Sequence, residues 1–430
     1  MIKIYNDKNI SDKDIFTRNT QLPDVSAQVA EIIKTVREQG DSALLQYTKS
    51  FDGAEPACIE LSPQQRSQAL SRIEPDFLLV LEQAAENIRF YHRRQFREGY
   101  SIKKAGGVIL GQKINPLARV GLYIPGGTAS YPSTVLMNCI PAKLAGVGEI
   151  IMTTPPGRDG SISDNIIAAA ELAGVDRIFI VGGAQAVAAM AYGTETIPPV
   201  DKIVGPGNVF VAEAKRQVFG QVDIDMIAGP SEILVVSDAR GDPVVLAADM
   251  LSQAEHDKLA SAVLVTTSEK LARQVAQELE NQLLTLPRQE IARASIENNG
   301  KIIITDSIDR AIEIANEIAP EHLELCLDEP FEYLDRIKNA GSIFLGRNCP
   351  EALGDYFAGT NHTLPTGGTA RFSSPLSVDD FVKKSSYIFY TEEALRRDGK
   401  KIACFAEKEG LSGHARSALI RQKRREGKAE

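Results

Sequence analysis

Arg177-Ile178-Phe179-Ile180-Val181-Gly182-Gly183-Ala184-Gln185 is a short apolar run closed by two glycines and continued by an alanine-rich stretch to Ala191. Such a run reads as a strand buried on both faces, and the alanines as a helix packed close against it. The same unit stands on either side. Glu149-Ile150-Ile151-Met152-Thr153-Thr154 is a strand with an alanine-rich helix to Gly174. Asp201-Lys202-Ile203-Val204-Gly205-Pro206-Gly207 is another, with Asn208 opening the next helix. Strand–helix alternation at this spacing implies a parallel, doubly wound sheet. Ligands of such sheets gather at the carboxyl ends of the strands. That rule points to Gly182-Gly183-Ala184-Gln185, Gly205-Pro206-Gly207-Asn208 and Ala228-Gly229-Pro230-Ser231-Glu232.

Working outward, a second series of the same kind follows. Ala262-Val263-Leu264-Val265-Thr266-Thr267 and Lys301-Ile302-Ile303-Ile304-Thr305 are strands, with helices over 269–284 and 308–318. Ser342-Ile343-Phe344-Leu345-Gly346 is a further strand before a long polar loop. Toward the amino end, Val25, Val29, Ile32, Ile33 and Val36 mark a helix stopped by Gly40, and Leu78, Leu81, Ala85 and Ile88 mark another over 75–97. Gly107-Val108-Ile109-Leu110-Gly111 and Arg119-Val120-Gly121-Leu122-Tyr123-Ile124 are strand signals, the second ending in a Pro125-Gly126-Gly127 turn. The fold class is therefore α/β: two doubly wound, incomplete Rossmann-like parallel-sheet domains, a short N-terminal arm and a small helical C-terminal domain. The expected boundaries are 1–20 for the arm, 21–128 with 236–375 for the first α/β domain, 129–235 for the second, and 376–430 for the helical tail.

The 430 residues are 43% hydrophobic and 24% charged, with a net charge of −9, which suits a globular enzyme and argues against a nucleic-acid partner. The basic run from Arg421 to Lys428 includes Glu426 and reads as a solvated helix end. No apolar run is long enough to span a bilayer, and the first residues do not read as a signal peptide. Five cysteines, at 58, 139, 326, 349 and 404, are scattered without a C-x-x-C pair. That argues for a cytoplasmic location and against a disulfide framework or thiolate zinc site.

Ala247-Ala248-Asp249-Met250-Leu251-Ser252-Gln253-Ala254-Glu255-His256-Asp257 has apolar residues at helical spacing, with Gln253 and His256 three apart on one side. An amide oxygen and an imidazole so placed can both reach one cation. Taken alone, the motif reads first as a polar helix end with a hydrogen-bonded core histidine. Pro320-Glu321-His322 sets a carboxylate beside an imidazole, two proton acceptors for one substrate or a solvated helix end. The loop from Pro350 to His362 holds Asp355, a candidate oxygen ligand, and His362, which suits a loop-orienting role. Glu409 and His414 stand five apart in a later turn. Gln253, His256, Asp355 and His414 would make a nitrogen/oxygen set suited to zinc, with no thiolate. No full G-x-G-x-x-G is present, so pattern alone leaves nicotinamide binding open.

Taken together, the motifs resemble the histidinol dehydrogenase family, from about residue 24 to 415. The resemblance rests on Gly121-Leu122-Tyr123-Ile124-Pro125-Gly126-Gly127, Val181-Gly182-Gly183-Ala184-Gln185-Ala186, Gly205-Pro206-Gly207-Asn208 and Ala228-Gly229-Pro230-Ser231-Glu232. It rests also on Leu251-Ser252-Gln253-Ala254-Glu255-His256, Pro320-Glu321-His322-Leu323 and Gly354-Asp355-Tyr356. It implies that Gln253, His256, Asp355 and His414 are the ligands of one Zn2+ per subunit, His414 being supplied by the partner subunit. Glu321 and His322 would be the acid–base pair. Substrate contacts would come from Ser231, Glu409 and His322 together with the metal ligands, and NAD contacts from Tyr123, Gln185 and Asn208. Around Glu409 and His414 the family's spacing is kept while the neighbouring residues diverge.

The reaction so implied is a four-electron oxidation of L-histidinol to L-histidine through the aldehyde, closing histidine biosynthesis in a homodimer with shared active sites, apart from nucleic acid and membrane. Two other readings stand beside it. One is a related zinc and NAD dehydrogenase acting on another small amino- or sulfo-alcohol. The other is a non-catalytic metabolite-binding protein on the same scaffold, which the intact Glu321 and His322 argue against.

Overall fold

A computed structural model describes residues 1–16, 18, 23–126 and 130–426. Gly127 of the expected turn, part of the expected arm, and the last residues of the basic run therefore lie outside the described residues. The chain divides into two compact units: 1–95 with 117–381, and 96–116 with 382–430.

The larger unit holds two parallel sheets. One has six strands in the order Lys3–Asn6, Lys301–Ile304, Ser261–Thr266, Glu232–Ser237, His322–Cys326, Ser342–Leu345. Its alternating side chains feed two cores. Ile233 and Val235 pack with Leu246, Met250 and Leu264 on one face, while Leu234 and Val236 pack with Ala311, Ile314 and Val265 on the other. All six residues of Glu232–Ser237 are buried, as expected of a parallel strand covered by helices on both sides. The second sheet has five strands in the order Arg177–Ile180, Glu149–Thr154, Arg119–Tyr123, Lys202–Val204, Asp223–Ile224. Val29, Ile32 and Ile33 of the helix Ser26–Gln39 pack in its core with Phe179, Ile203 and Val211.

The smaller unit is an antiparallel sheet, Val382–Tyr390 against Val108–Pro116 against Tyr100–Lys104, followed by the helices Glu392–Lys408 and Ser412–Glu426. Its own apolar cluster is small, built from Ala403, Ala406 and Ala415 with Leu419 against them.

Strand pairing moves several expected boundaries. Lys3–Asn6 of the arm is an edge strand registered on Lys301–Ile304. Arg119–Tyr123 pairs with both Glu149–Thr154 and Lys202–Val204, so the five-stranded sheet begins before 129 and recruits the helix at 26–39. The tail opens with a nine-residue strand, because Tyr387-Ile388-Phe389-Tyr390 carries strand-forming side chains onto Val108–Pro116. Its two helices are as expected.

Candidate active site

The strand His322–Cys326 lies inside the six-stranded sheet, next to its edge strand, with His322 registered between Ile233 and Ser342. The helix Ile308–Ile318 ends on Ala319, whose φ of 51° is the one left-handed non-glycine conformation among the described residues. That turn sits immediately before Pro320-Glu321-His322 and is stored strain of about 1–3 kcal/mol. It delivers both side chains to the amino end of the sheet. The carboxyl-end rule therefore fails here: Ser231 and Glu232 open a strand rather than close one. In the five-stranded sheet Tyr123, Gln185 and Asn208 lie at or beyond the carboxyl ends of their strands.

Glu232 arranges the pair through its backbone. Its N–H donates to Glu321 Oε2 at 2.8 Å, and its carbonyl stands 3.1 Å from His322 Nδ1. With the proton on Nδ1, the other ring nitrogen is an acceptor. That nitrogen, Nε2, is buried without a hydrogen bond, 3.4 Å from Asp355 Oδ1 and 3.9 Å from Glu351 Oε1. Burial opposes charge on His322, yet Glu321 and Asp355 outweigh it and hold the imidazole well above its ordinary pKa. Burial likewise opposes charge on Asp355, but His322 and His362 hold it well below the usual carboxylate range.

Asp355 is carried by the helix Glu351–Tyr356, whose first N–H donates to Glu324 Oε1 at 2.8 Å. Glu324 lies two residues beyond His322, so strand alternation puts both on one side. Burial, with Asp249 beside it, pushes Glu324 up to about 9, and burial with Asp355 pushes Glu351 up to about 8. His362 Nδ1 meets the Asp355 carbonyl at 3.0 Å, which is the loop-orienting role expected of it. Glu232, Glu324 and Glu351 have no role in the sequence reading. For Glu232 and Glu324 the available signal was a charged residue at the first or third position of a fully buried strand; Glu351, which opens a helix, had none.

The helix Pro243–Ala254 buries Ala247, Met250, Leu251 and Ala254, the face expected. It stops two residues before His256, which lies exposed in a following turn closed by its N–H on the Gln253 carbonyl at 3.1 Å. Gln253 and His256 nevertheless line one cavity of about 310 Å³ with Ser231, Glu321, His322, Asp355 and Asn208. Both amide atoms of Gln253 are buried and unpartnered. A buried carboxamide with neither bond made costs about 1–3 kcal/mol per group unless something binds it. An amide oxygen, an imidazole and a carboxylate around one cavity fit zinc. Asp355 also belongs to a second trio, with His322 and Glu351, whose ligand atoms lie within 4.8 Å of one another. Glu351 there already accepts from the Ser252 hydroxyl at 2.8 Å.

A second cavity of about 450 Å³ gathers Tyr123, Gln185 and Asn208 with Asp52 and Phe210. The Tyr123 hydroxyl accepts from the Gly183 N–H at 3.1 Å, and burial pushes its pKa up to about 12. Gln185 is buried with both amide atoms unpartnered. Asn208 caps the helix Val209–Val218 and lines both cavities. Nothing in the sequence marked Asp52, which burial pushes from 3.8 up to about 6. Its charge is thus tolerated better in the open chain than in the fold, so it opposes folding above that window and not below it. Asp52→Asn is expected to raise the melting temperature at neutral pH, the gain shrinking as pH falls through about 6 to 4. Melts that show an undiminished gain at pH 4 would contradict this.

Glu409 and His414 belong to the smaller unit. Glu409 ends the helix Glu392–Lys408, and His414 is exposed in the first turn of Ser412–Glu426.

Two cavities that share Asn208, one holding a buried carboxylate–imidazole pair, suit acid–base chemistry on a bound small molecule. The model of the family described as histidinol dehydrogenase matches residues 16–422. The histidinol dehydrogenase of Clostridium acetobutylicum is 58% identical over 401 residues, 92% of this chain and 93% of that one. That of Bacillus cereus is 58% identical over 397 residues, 92% of each chain. The crystal structure of histidinol dehydrogenase from Elizabethkingia anophelis superposes with a TM-score of 0.93 at 39% identity, covering 98% of both chains. The chain belongs to the histidinol dehydrogenase family. Among the described residues, no helix is long and apolar enough to cross a membrane.

Proposed function

We propose that this protein oxidises L-histidinol to L-histidine through the aldehyde, using two NAD in turn and one zinc per subunit, as a cytoplasmic homodimer with shared sites. The observation that carries the reading is the buried, unpartnered Gln253 carboxamide, which lines one cavity with Glu321, His322 and Asp355. Gln253, His256 and Asp355, with His414 of the partner subunit, would hold the zinc, and Tyr123, Gln185 and Asn208 the NAD. When bound, zinc supplies a fixed positive charge for the substrate's imidazole and amine, and NAD supplies the hydride acceptor.

The chain's own residues manage protons and orientation. His322 Nε2, its tautomer set by the Glu232 carbonyl, takes the hydroxyl proton as the carbinol carbon loses hydride. The neighbouring Glu321 and Asp355 carboxylates stabilise the imidazolium that this transfer forms. Glu321 then takes a proton from the water that adds to the aldehyde while His322 returns its proton to the former carbonyl oxygen, giving a gem-diol. Loss of a second hydride from the gem-diol, with one hydroxyl proton passing back to His322, leaves the carboxylic acid. Glu409 of the partner subunit and Ser231 complete the substrate contacts in this reading.

The test is metal removal. Chelation is expected to abolish histidinol oxidation and zinc to restore it, with X-ray absorption giving nitrogen or oxygen ligands only, Zn–N at about 2.0–2.1 Å. A metal-free preparation working at full rate, or a sulfur ligand, would rule the zinc assignment out.

A further inference from the structure

Lys215 and Asp225 form an ion pair whose side chains are only 2% and 1% exposed, and neither lines the catalytic or the nucleotide-side cavity. Breaking up so deeply buried a pair leaves an uncompensated charge, and replacing both partners by neutral groups is often close to neutral for stability. A stability role alone therefore does not explain charge at these positions, and what the pair holds is informative. Lys215 Nζ donates to the Gly205 carbonyl at 2.9 Å and to Asp225 Oδ1. Asp225 Oδ2 accepts the Gly205 N–H at 2.7 Å, and Oδ1 also accepts the Met226 N–H at 2.6 Å. Both backbone groups of one glycine are thus gripped by one ion pair.

That glycine has no latitude elsewhere. Its φ is +118°, and a Cβ there would meet the Tyr123 carbonyl oxygen at 2.1 Å. Gly205 begins the loop Gly205-Pro206-Gly207-Asn208, whose last three residues line the catalytic cavity and whose Asn208 also lines the nucleotide-side cavity. The helix that supplies Lys215, Val209–Val218, is capped by Asn208 itself, which accepts from Phe210 and Val211 at 3.1 and 3.2 Å. Loop, cap and clamp form one closed ring of contacts around the wall common to both cavities.

We propose that Lys215 and Asp225 are positioning residues for hydride transfer, holding the Gly205–Asn208 loop so that the nucleotide ring and the substrate carbon meet at a set separation. The inference rests on the assignment of the two cavities to NAD and histidinol made above. Misplacement by about 1 Å is enough to slow such a step on the order of 100-fold.

The test compares Lys215→Met with the double variant Lys215→Met, Asp225→Asn. The single variant strands a buried carboxylate and is expected to lose stability. The double variant removes both charges but strands the Gly205 carbonyl, so it is expected to melt below the parent by less than the single variant does. The double variant's kcat with L-histidinol should fall about 10- to 100-fold, with KM for histidinol little changed. Histidinol deuterated at the carbinol carbon should give a larger isotope effect on kcat than in the parent, since the transfer itself has slowed. A folded double variant with parental kcat and isotope effect would overturn the proposal. Should neither variant fold, hydrogen exchange on the nucleotide-free parent decides. The clamp requires the Gly205 amide, which Asp225 holds, to be protected before any NAD is added, and free exchange there would overturn it as well. Failure of the parent to reduce NAD with L-histidinol would sink the functional reading instead, leaving the exchange result to stand on its own.

Discussion

Glu321→Gln is expected to lower the oxidation of L-histidinol to L-histidine by on the order of 10²–10⁴-fold while leaving the reduction of histidinal to histidinol much less affected. Glutamine keeps the side chain's size and an oxygen able to accept the Glu232 N–H, which lies 2.8 Å from Glu321 Oε2. What it loses is the capacity to take a proton from water. Only the path to the carboxylic acid needs that water, so the loss falls on the second oxidation. His322→Gln should behave differently. The alcohol's proton is exchanged with Nε2 in either direction, so both assays should fall together. Equal losses in both assays for Glu321→Gln would defeat the division of labour, though not the site.

The parallel sheets were legible because their strands are short apolar runs separated by alanine-rich helices, and Glu232–Ser237 and Ser261–Thr266 lie where that pattern puts them. The edges were less legible. Lys3–Asn6 is a strand only because Lys301–Ile304 offers it an edge, and Val382–Tyr390 only because Val108–Pro116 does. Such pairings join residues far apart in the chain: Tyr387-Ile388-Phe389-Tyr390 carries strand propensity locally, but the edge it meets is not written there. The cavity lined by Glu321 and His322 shows the same division. Gln253, Glu321, His322 and Asp355 stand in motifs that draw attention by themselves. That they meet at the amino end of the sheet depends on Ala319 and on the backbone of Glu232, and backbone groups leave no trace in side-chain identity. Glu324 and Glu351 were hidden for another reason: carboxylates within apolar strands and loops carry no spacing signature until burial brings them together.

Mixing inactive Asp355→Ala and His414→Ala chains, after joint unfolding and refolding, is expected to restore activity. Asp355 lies in the larger unit and His414 in the smaller, in a separate helical tail about sixty residues on. If the tail of one subunit completes the site of its partner, a hybrid dimer has one site carrying both defects and one carrying neither. Random pairing makes half of the dimers hybrids with one good site each, so the mixture should regain about a quarter of the parental rate. With sites built within single chains, the mixture would stay inactive. Each parent refolded alone must remain inactive for the result to count. Exchange of an identical element between subunits needs few new contacts, because those made between chains are the ones available within one.

The most direct test of the central claim is the amount of NADH formed per L-histidinol consumed, with L-histidinol compared against other small amino- and sulfo-alcohols. A zinc site beside the Glu321–His322 pair, oxidising the alcohol and then the hydrated aldehyde, predicts two NADH for each histidinol and L-histidine as the product, at a rate no other alcohol matches. One NADH per histidinol with free histidinal accumulating, or faster turnover of a different alcohol, would contradict it.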